Sequence, residues 1–175
     1  MGFSRQGESL TAGVLKNMKF VVMSDTHLSH VTDQFKAICE HYCHDADMVI
    51  HLGDWTRTEV LDYLEQYPLQ AVAGNMDGYD VHSRLPVKKV LQVNGYRLGL
   101  IHGWGAARDL RSRLKSQFAD VHAIFFGHTH QPLQIEEDGL FWFNPGSVFN
   151  GRGQFRGTVG VVHVEERLRG EIVVL

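Results

Sequence analysis

The sequence predicts an α/β fold of two packed mixed sheets with helices outside. Three observations lead there. Short apolar runs recur, each ending abruptly in a polar residue with or without a glycine. Helical patterns stand between several of these runs. Further on, Asn-Gly and Asp-Gly pairs each separate two strand-like stretches. Runs that are apolar on both faces suit strands buried inside layers. Strand, helix, strand in succession indicates parallel βαβ units. Asn-Gly favours the type I′ turn of a hairpin.

Residues 1–17 carry no clear period and are expected to be a loose tail ahead of one domain spanning 18–175. KFVVMSD, DMVIHLGD, LQAVAGN, YRLGLIHG and VHAIFFGH are the buried strands and their ends. Helices are expected over 31–43, 57–67 and 106–118, the second stopped by Pro68. KKVLQV-NG-YRLGLI and PLQIEE-DG-LFWF form two hairpins, and GTVGVVHVEERLRGEIVVL a third strand pair. No internal repeat, low-complexity segment or linker interrupts this order.

Composition narrows the function classes. The chain has 175 residues, 43% hydrophobic and 21% charged, enough for one domain with a substantial core. Its formal charge is −3 and its one basic stretch, RDLRSRLK, reads as the solvated face of a helix, so nucleic acid is not expected as a partner. No apolar run approaches the roughly 20 residues of a membrane helix. The N-terminus lacks a secretory apolar stretch, and Gln6 stands where a myristoylation signal needs Ser or Thr. A cytoplasmic protein is expected. Cys39 and Cys43 share a helix face and are expected to pack as reduced thiols, although His41 and His44 nearby bring a zinc site to mind.

The chemistry gathers at the strand ends. SDTH presents Asp25 and His27, LGDW presents Asp54, AGNMD presents Asn75 and Asp77, LIHG presents His102, and FFGHTH presents His128 and His130. Ligands of open α/β sheets bind at the carboxyl ends of strands. A turn Asp or a core His explains any one of these placements, but not all five strand ends together. Asp25, His27, Asp54, Asn75, His102, His128 and His130 supply oxygen and nitrogen donors and no sulfur. One tetrahedral zinc needs about four ligands, so seven fit two ions better, with one carboxylate shared. Imidazole mixed with carboxylate suits Mn, Fe, Zn, Ni or Co.

These blocks, DTH, GD, GN-x-D, HG and GHTH in this order, resemble the calcineurin-like metallophosphoesterase superfamily, and the chain is similar to its small single-domain YfcE-type phosphodiesterases. NPGS at 144–147 is also typical of that subgroup. The resemblance covers roughly residues 18–175 and implies a four-layer α/β/β/α sandwich. It implies that Asp25, His27 and His130 hold one divalent ion, that Asn75, His102 and His128 hold a second, and that Asp54 bridges the two with a water or hydroxide. Manganese is the leading expectation for the metal. Hydroxide would then attack phosphorus in line, and the substrate would be a small phosphodiester or an activated monoester.

One position departs from the family pattern. Many members carry His after the Asn of the third block, the usual proton donor to the leaving oxygen; here it is Met76. General acid catalysis contributes about 10²–10⁴ in rate, so substrates with good leaving groups, such as aryl esters, are favoured. His30, and after it His82, are the residues to test as a substitute acid. Arg57 and Arg152 are candidates to steady the phosphate, against the plainer reading of surface charges. Asp77 either orients a neighbouring ligand or caps its turn. His51, His122 and His163 read as packed core histidines. Trp55 and Trp104 either wall the pocket or cap the sheet. Two other functions remain in view: a retromer-like protein-binding scaffold of the same fold, and a nuclease.

Overall fold

The computed structural model describes residues 16–149 and 157–175. Its elements run β1 (Met18–Met23), α1 (Asp33–Cys43), β2 (Met48–His51), α2 (Thr58–Leu64), β3 (Leu69–Ala71), α3 (Tyr79–His82), β4 (Lys88–Val93), β5 (Tyr96–Ile101), a 3-10 turn (Ala107–Asp109), α4 (Leu110–Lys115), β6 (Ala123–Phe126), β7 (Leu133–Glu137), β8 (Leu140–Asn144), β9 (Thr158–Val164) and β10 (Leu168–Val174).

The strands form two five-stranded mixed sheets, ordered β10-β9-β1-β2-β3 and β4-β5-β6-β8-β7. In the first, β1, β2 and β3 are parallel, as the βαβ pattern requires, and β9 and β10 close one side antiparallel. In the second, β5, β6 and β8 are parallel and each outer strand joins by a hairpin. Both hairpin turns are left-handed at their two central residues, with φ of 48° and 80° at Asn94 and Gly95 and 52° and 72° at Asp138 and Gly139. That is the type I′ geometry these residue pairs favour.

Alternation along the strands builds the layers. Val21 and Met23 pack toward α1 and α2 with Cys39, Cys43, Val60 and Leu64. Phe20 and Val22 point the other way, against Leu98, Leu100 and Phe125 of the second sheet. Ile124 and Phe126 meet Leu110 and Leu114 of α4. Successive side chains of a strand face opposite sides, so strands covered on both sides must be apolar throughout. The result is helix, sheet, sheet, helix. α1 starts where Thr32 accepts the Phe35 amide at 3.1 Å, a cap worth about 1 kcal/mol.

Several local expectations change. The tail expected over 1–17 lies outside the described residues up to Lys16, and Lys16 is already anchored: its Nζ pairs with Asp47 at 2.7 Å and its carbonyl accepts from Asn94. The helix expected over 106–118 opens as a 3-10 turn and becomes α-helical only from Leu110, because Asp109 leaves the helical region (φ −115°, ψ 17°). α2 ends at Leu64, short of Tyr67. Cys39 and Cys43 are free and buried in the helix-facing core. His122 is exposed rather than packed, its Nδ1 accepting the Arg97 amide, and His163 is half-buried. His122 falls just before β6, outside the buried strand, and His163 lies near the end of β9. Among the described residues no helix is long and apolar enough to cross a membrane.

Candidate metal centre

β1, β2, β3, β5 and β6 end on the same side of the two sheets, and their last turns converge. The strand ends bend sharply. Asp25, His27, Asp54, His128 and His130 all have left-handed backbones, with φ between 48° and 68°. Each such residue costs roughly 1–2 kcal/mol relative to ordinary backbone. Strain of this kind persists only where surrounding contacts over-determine it, and it clusters at functional sites.

Five side chains form a tight knot. His27 Nε2 and His130 Nε2 are 3.2 Å apart. His130 Nε2 lies 3.1 Å from Asp25 Oδ1, and His27 Nε2 lies 3.8 Å from it. His102 Nε2 lies 3.3 Å from Asp54 Oδ2 and 3.8 Å from Asp25 Oδ1, and His27 Nε2 is 3.6 Å from Asp54 Oδ2. Asp25, His27 and His130 thus offer one set of donor atoms within 4.8 Å of one another, and Asp25, Asp54 and His102 another.

The donor set fits a divalent cation. Two ligands at about 2.0–2.1 Å from a tetrahedral ion stand roughly 3.3 Å apart, the spacing of the His27 and His130 nitrogens. Asp25 Oδ1 and His102 Nε2 are buried and make no aligned hydrogen bond. Buried polar atoms rarely go unsatisfied, and where they do an ion is one explanation. Burial alone would raise the Asp25 carboxyl, yet His130, His102 and Ser24 outweigh it and hold it below the usual carboxylate range. Asp54 behaves alike: burial pushes up, and His102 and the Met76 amide pull it lower. His102 is the counterpart, where burial favours the neutral ring but Asp54 and Asp25 raise it above the ordinary imidazole range.

Asn75 and His128 sit at the edge of this knot as a pair. His128 Nδ1 is 2.9 Å from Asn75 Oδ1, its Nε2 donates to the Gly105 carbonyl at 2.8 Å, and its ring lies 5.5 Å from that of His102. Glycines make the crowding feasible. A Cβ on Gly74 would collide with the Asp54 carboxylate and amide, and one on Gly127 would meet Ser24 Oγ and stand 2.8 Å from Asp25 Oδ2.

Supporting contacts hold the turns. Asp77 accepts four backbone amides: Asp54 and Gly74 on Oδ2 at 3.1 and 2.7 Å, Trp55 and Thr56 on Oδ1 at 2.7 and 3.0 Å. It therefore ties the GD turn to the GN turn, more than a cap of its own turn. Burial pushes its carboxyl up, while these amides favour the anion. Two residues of NPGS also work here, and their bonds cross between strand ends far apart in sequence. Asn144 donates to the Gly127 carbonyl at 2.9 Å and to Thr129, and Ser147 donates to the Asp25 carbonyl at 2.8 Å. Ser24 donates to Asp25 Oδ2 at 2.6 Å. The signal for Asn144 and Ser147 was a polar turn directly after the apolar run LFWF.

Other candidates fall elsewhere. His30 is exposed and shares a 3.1 Å hydrogen bond with Ser29; among the described residues no ion pair or hydrogen bond ties it to the knot. His82 is exposed at the end of α3. Arg57 is exposed at the start of α2, and Arg152 lies outside the described residues. Trp55 is fully buried and donates to the Val72 carbonyl, so it walls no pocket. Trp104 and Met76 are 41% and 67% exposed, in the loops that meet through His128.

Comparison with known proteins matches this architecture. The calcineurin-like phosphoesterase superfamily domain matches residues 18–167. A probable metallophosphoesterase of Methanocaldococcus jannaschii is 32% identical over 157 residues, covering 87% of this chain and 79% of that protein. A phosphodiesterase of the same organism is 28% identical over 171 residues, covering 89% and 99%. A solved Vps29 variant of Entamoeba histolytica has a TM-score of 0.69 at 20% identity, covering 90% of this chain and 99% of that one, a likeness of fold alone. With the domain match running from β1 through β9 and a relative above 30% identity, this chain belongs to the calcineurin-like phosphoesterase superfamily, a family of phosphoester hydrolases.

Proposed function

We propose that residues 18–175 form a dinuclear metal-dependent phosphodiesterase acting on small phosphoesters with good leaving groups. One observation carries the reading: donor atoms from the ends of β1, β2, β5 and β6 converge within 4.8 Å in two sets that have Asp25 in common, and Asp54 Oδ2 stands between them, 3.6 Å from His27 and 3.3 Å from His102. Asp25, His27 and His130 would hold one divalent ion, and Asn75, His102 and His128 the other, with Asp54 serving both. When bound, such ions supply Lewis-acid activation of water and of phosphoryl oxygens. Manganese is the first metal to test; iron, zinc, nickel and cobalt suit the same donors.

The protein's own groups do the rest. Asp25 and Asp54 stay ionised at neutral pH because imidazoles face them, so they bind a cation without first losing a proton. Asp77, Asn144 and Ser147 hold the strained turns from which these ligands project. Beside Asn75, Met76 brings no proton to the leaving oxygen, and its exposed side chain with Trp104 gives that edge an apolar character. Aromatic leaving groups, which depart as weak bases and pack on apolar surface, suit such an edge. His30 is the residue to test as a substitute acid, and Arg57 and Arg152 as phosphate contacts.

A metal-replete assay over mono- and diesters with wild-type protein and Asp54→Asn tests this. Wild-type activity should depend on added Mn²⁺, favour aryl diesters and collapse in the variant. Full activity in Asp54→Asn would overturn the shared-carboxylate reading. The fold shared with Vps29 supports a second reading, a non-catalytic scaffold. Absence of bound transition metal together with no hydrolysis would favour it. Competition by single-stranded DNA against a small aryl diester would instead point to a nuclease.

A further inference from the structure

We infer that His51 is a positioning residue that locks together the two turns carrying the first-ion ligands and the shared carboxylate. The inference rests on the metal-centre reading above and concerns a side chain buried beneath it. His51 ends β2, the middle of three parallel strands, paired with Met23 of β1 and Ala71 of β3. Its ring is fully buried.

Both ring nitrogens are used. Nδ1 stands 3.2 Å from the Gly53 amide, which can only donate, so Nδ1 accepts. In a neutral imidazole the proton is then on Nε2, which donates to Thr26 Oγ1 at 3.3 Å. Thr26 lies between Asp25 and His27, and Gly53 directly precedes Asp54. One ring thus bridges the turn that presents Asp25 and His27 to the turn that presents Asp54. A third strand end joins through stacking. The His51 ring lies 3.5 Å from that of Trp55, and Trp55 Nε1 donates to the Val72 carbonyl just past β3.

The need for such a lock is visible in the backbone. Asp25, His27 and Asp54 are left-handed at 53°, 48° and 57°, and Gly53 is at 100°. Released from its tertiary contacts, each non-glycine residue would relax toward ordinary backbone and swing its donor atom away. A core histidine that only filled space would not need both nitrogens satisfied by residues adjoining ligands. Phenylalanine would fill the same volume and keep the stack on Trp55, but would strand the Gly53 amide and the Thr26 hydroxyl.

The test is metal affinity, measured by calorimetry on the metal-free full chain with Mn²⁺ and Zn²⁺, and ligand geometry, read from the visible spectrum of the Co²⁺-loaded protein. His51→Phe should bind roughly 10–100-fold more weakly, the usual effect of removing a partner beyond the ligands themselves, with an altered Co²⁺ spectrum. Gln can both accept from Gly53 and donate to Thr26, so His51→Gln should recover most of the affinity. Thr26→Val, which keeps shape and loses one of the two bonds, should fall between wild type and His51→Phe. Wild-type affinity and spectrum in His51→Phe would overturn the inference, as would equal losses in His51→Phe and His51→Gln. A lowered melting temperature with unchanged affinity would also overturn it, leaving His51 as packing alone. Wild-type protein that takes up no divalent ion would overturn the metal centre itself, and this inference with it.

Discussion

Asp77 offers the sharpest stability test of the site's architecture. Its carboxylate receives four amides, from Asp54, Trp55, Thr56 and Gly74, at 2.7–3.1 Å. Asp77→Ala removes both acceptor oxygens and all four hydrogen bonds at once. Leaving one buried donor unsatisfied costs about 1–3 kcal/mol. Water entering the vacated space would serve part of the set, so taking the low end for each gives a net loss of about 3–4 kcal/mol. For a domain of this size 1 kcal/mol shifts Tm by about 2–4 °C, hence a fall of roughly 10 °C. Asp77→Asn is the informative control. Whichever way the amide is turned, its NH₂ confronts two N–H donors, so about half of the loss should remain. Thermal unfolding in EDTA measures the effect without any bound ion. Calorimetric titration with Mn²⁺ then tests whether Asp54 has moved, since its amide is among the four. A Tm within about 2 °C of wild type for Asp77→Ala would refute the reasoning, because it would mean that the turns hold themselves.

Three further outcomes are expected. Gly127→Ala places a methyl group against Ser24 and Asp25; overpacking of this kind costs about 1–3 kcal/mol, visible in urea unfolding, and an unchanged midpoint would contradict the close approach. Trp104→Ala, at an exposed position, should leave Tm unchanged yet raise KM for an aryl diester several-fold more than for a dialkyl one; equal changes would remove Trp104 from substrate contact. The metal-free protein should also show a pH signature. The raised pKa of His102 contributes stability that is complete below its unfolded value, about 6.5, and is lost as pH rises through the folded value. The lowered carboxyls of Asp25 and Asp54 contribute stability present above their unfolded values, about 3.9, and lost as pH falls through the folded ones. Burial pushes His51 down to about 3, so stability is also lost as pH falls below its unfolded value of about 6.5. Melting temperatures in EDTA should therefore peak close to the ordinary imidazole range, about pH 6.5, and His102→Gln should flatten the alkaline side; an identical alkaline slope in that variant would rule His102 out as its source.

Much of the fold was legible because it is written in local periods. FVVM and AIFF are apolar without alternation, as a strand covered on both faces requires, and Asn94-Gly95 and Asp138-Gly139 specify their turns through backbone conformation alone. The candidate donors were legible for the same reason, as polar residues placed directly after such runs. Short-range signals failed where neighbours decide. The pattern at 106–118 has helical spacing, but Asp109 breaks it and the helix forms only from Leu110. His51 and His122 both stand in apolar stretches; one is buried beneath the knot and the other exposed beside Arg97, and spacing cannot separate them.

By itself, then, the sequence determined the layered α/β plan, the two hairpins and the residue types waiting at five strand ends. Only the tertiary structure decided how those ends meet: that His27 and His130, more than a hundred positions apart, face each other at 3.2 Å, and that Asp77, Asn144, Ser147 and His51 brace the turns between them. The physical reason is range. Propensity and periodicity act over a few residues, whereas the donor knot and its braces exist only once two sheets have packed and brought five loops to one side.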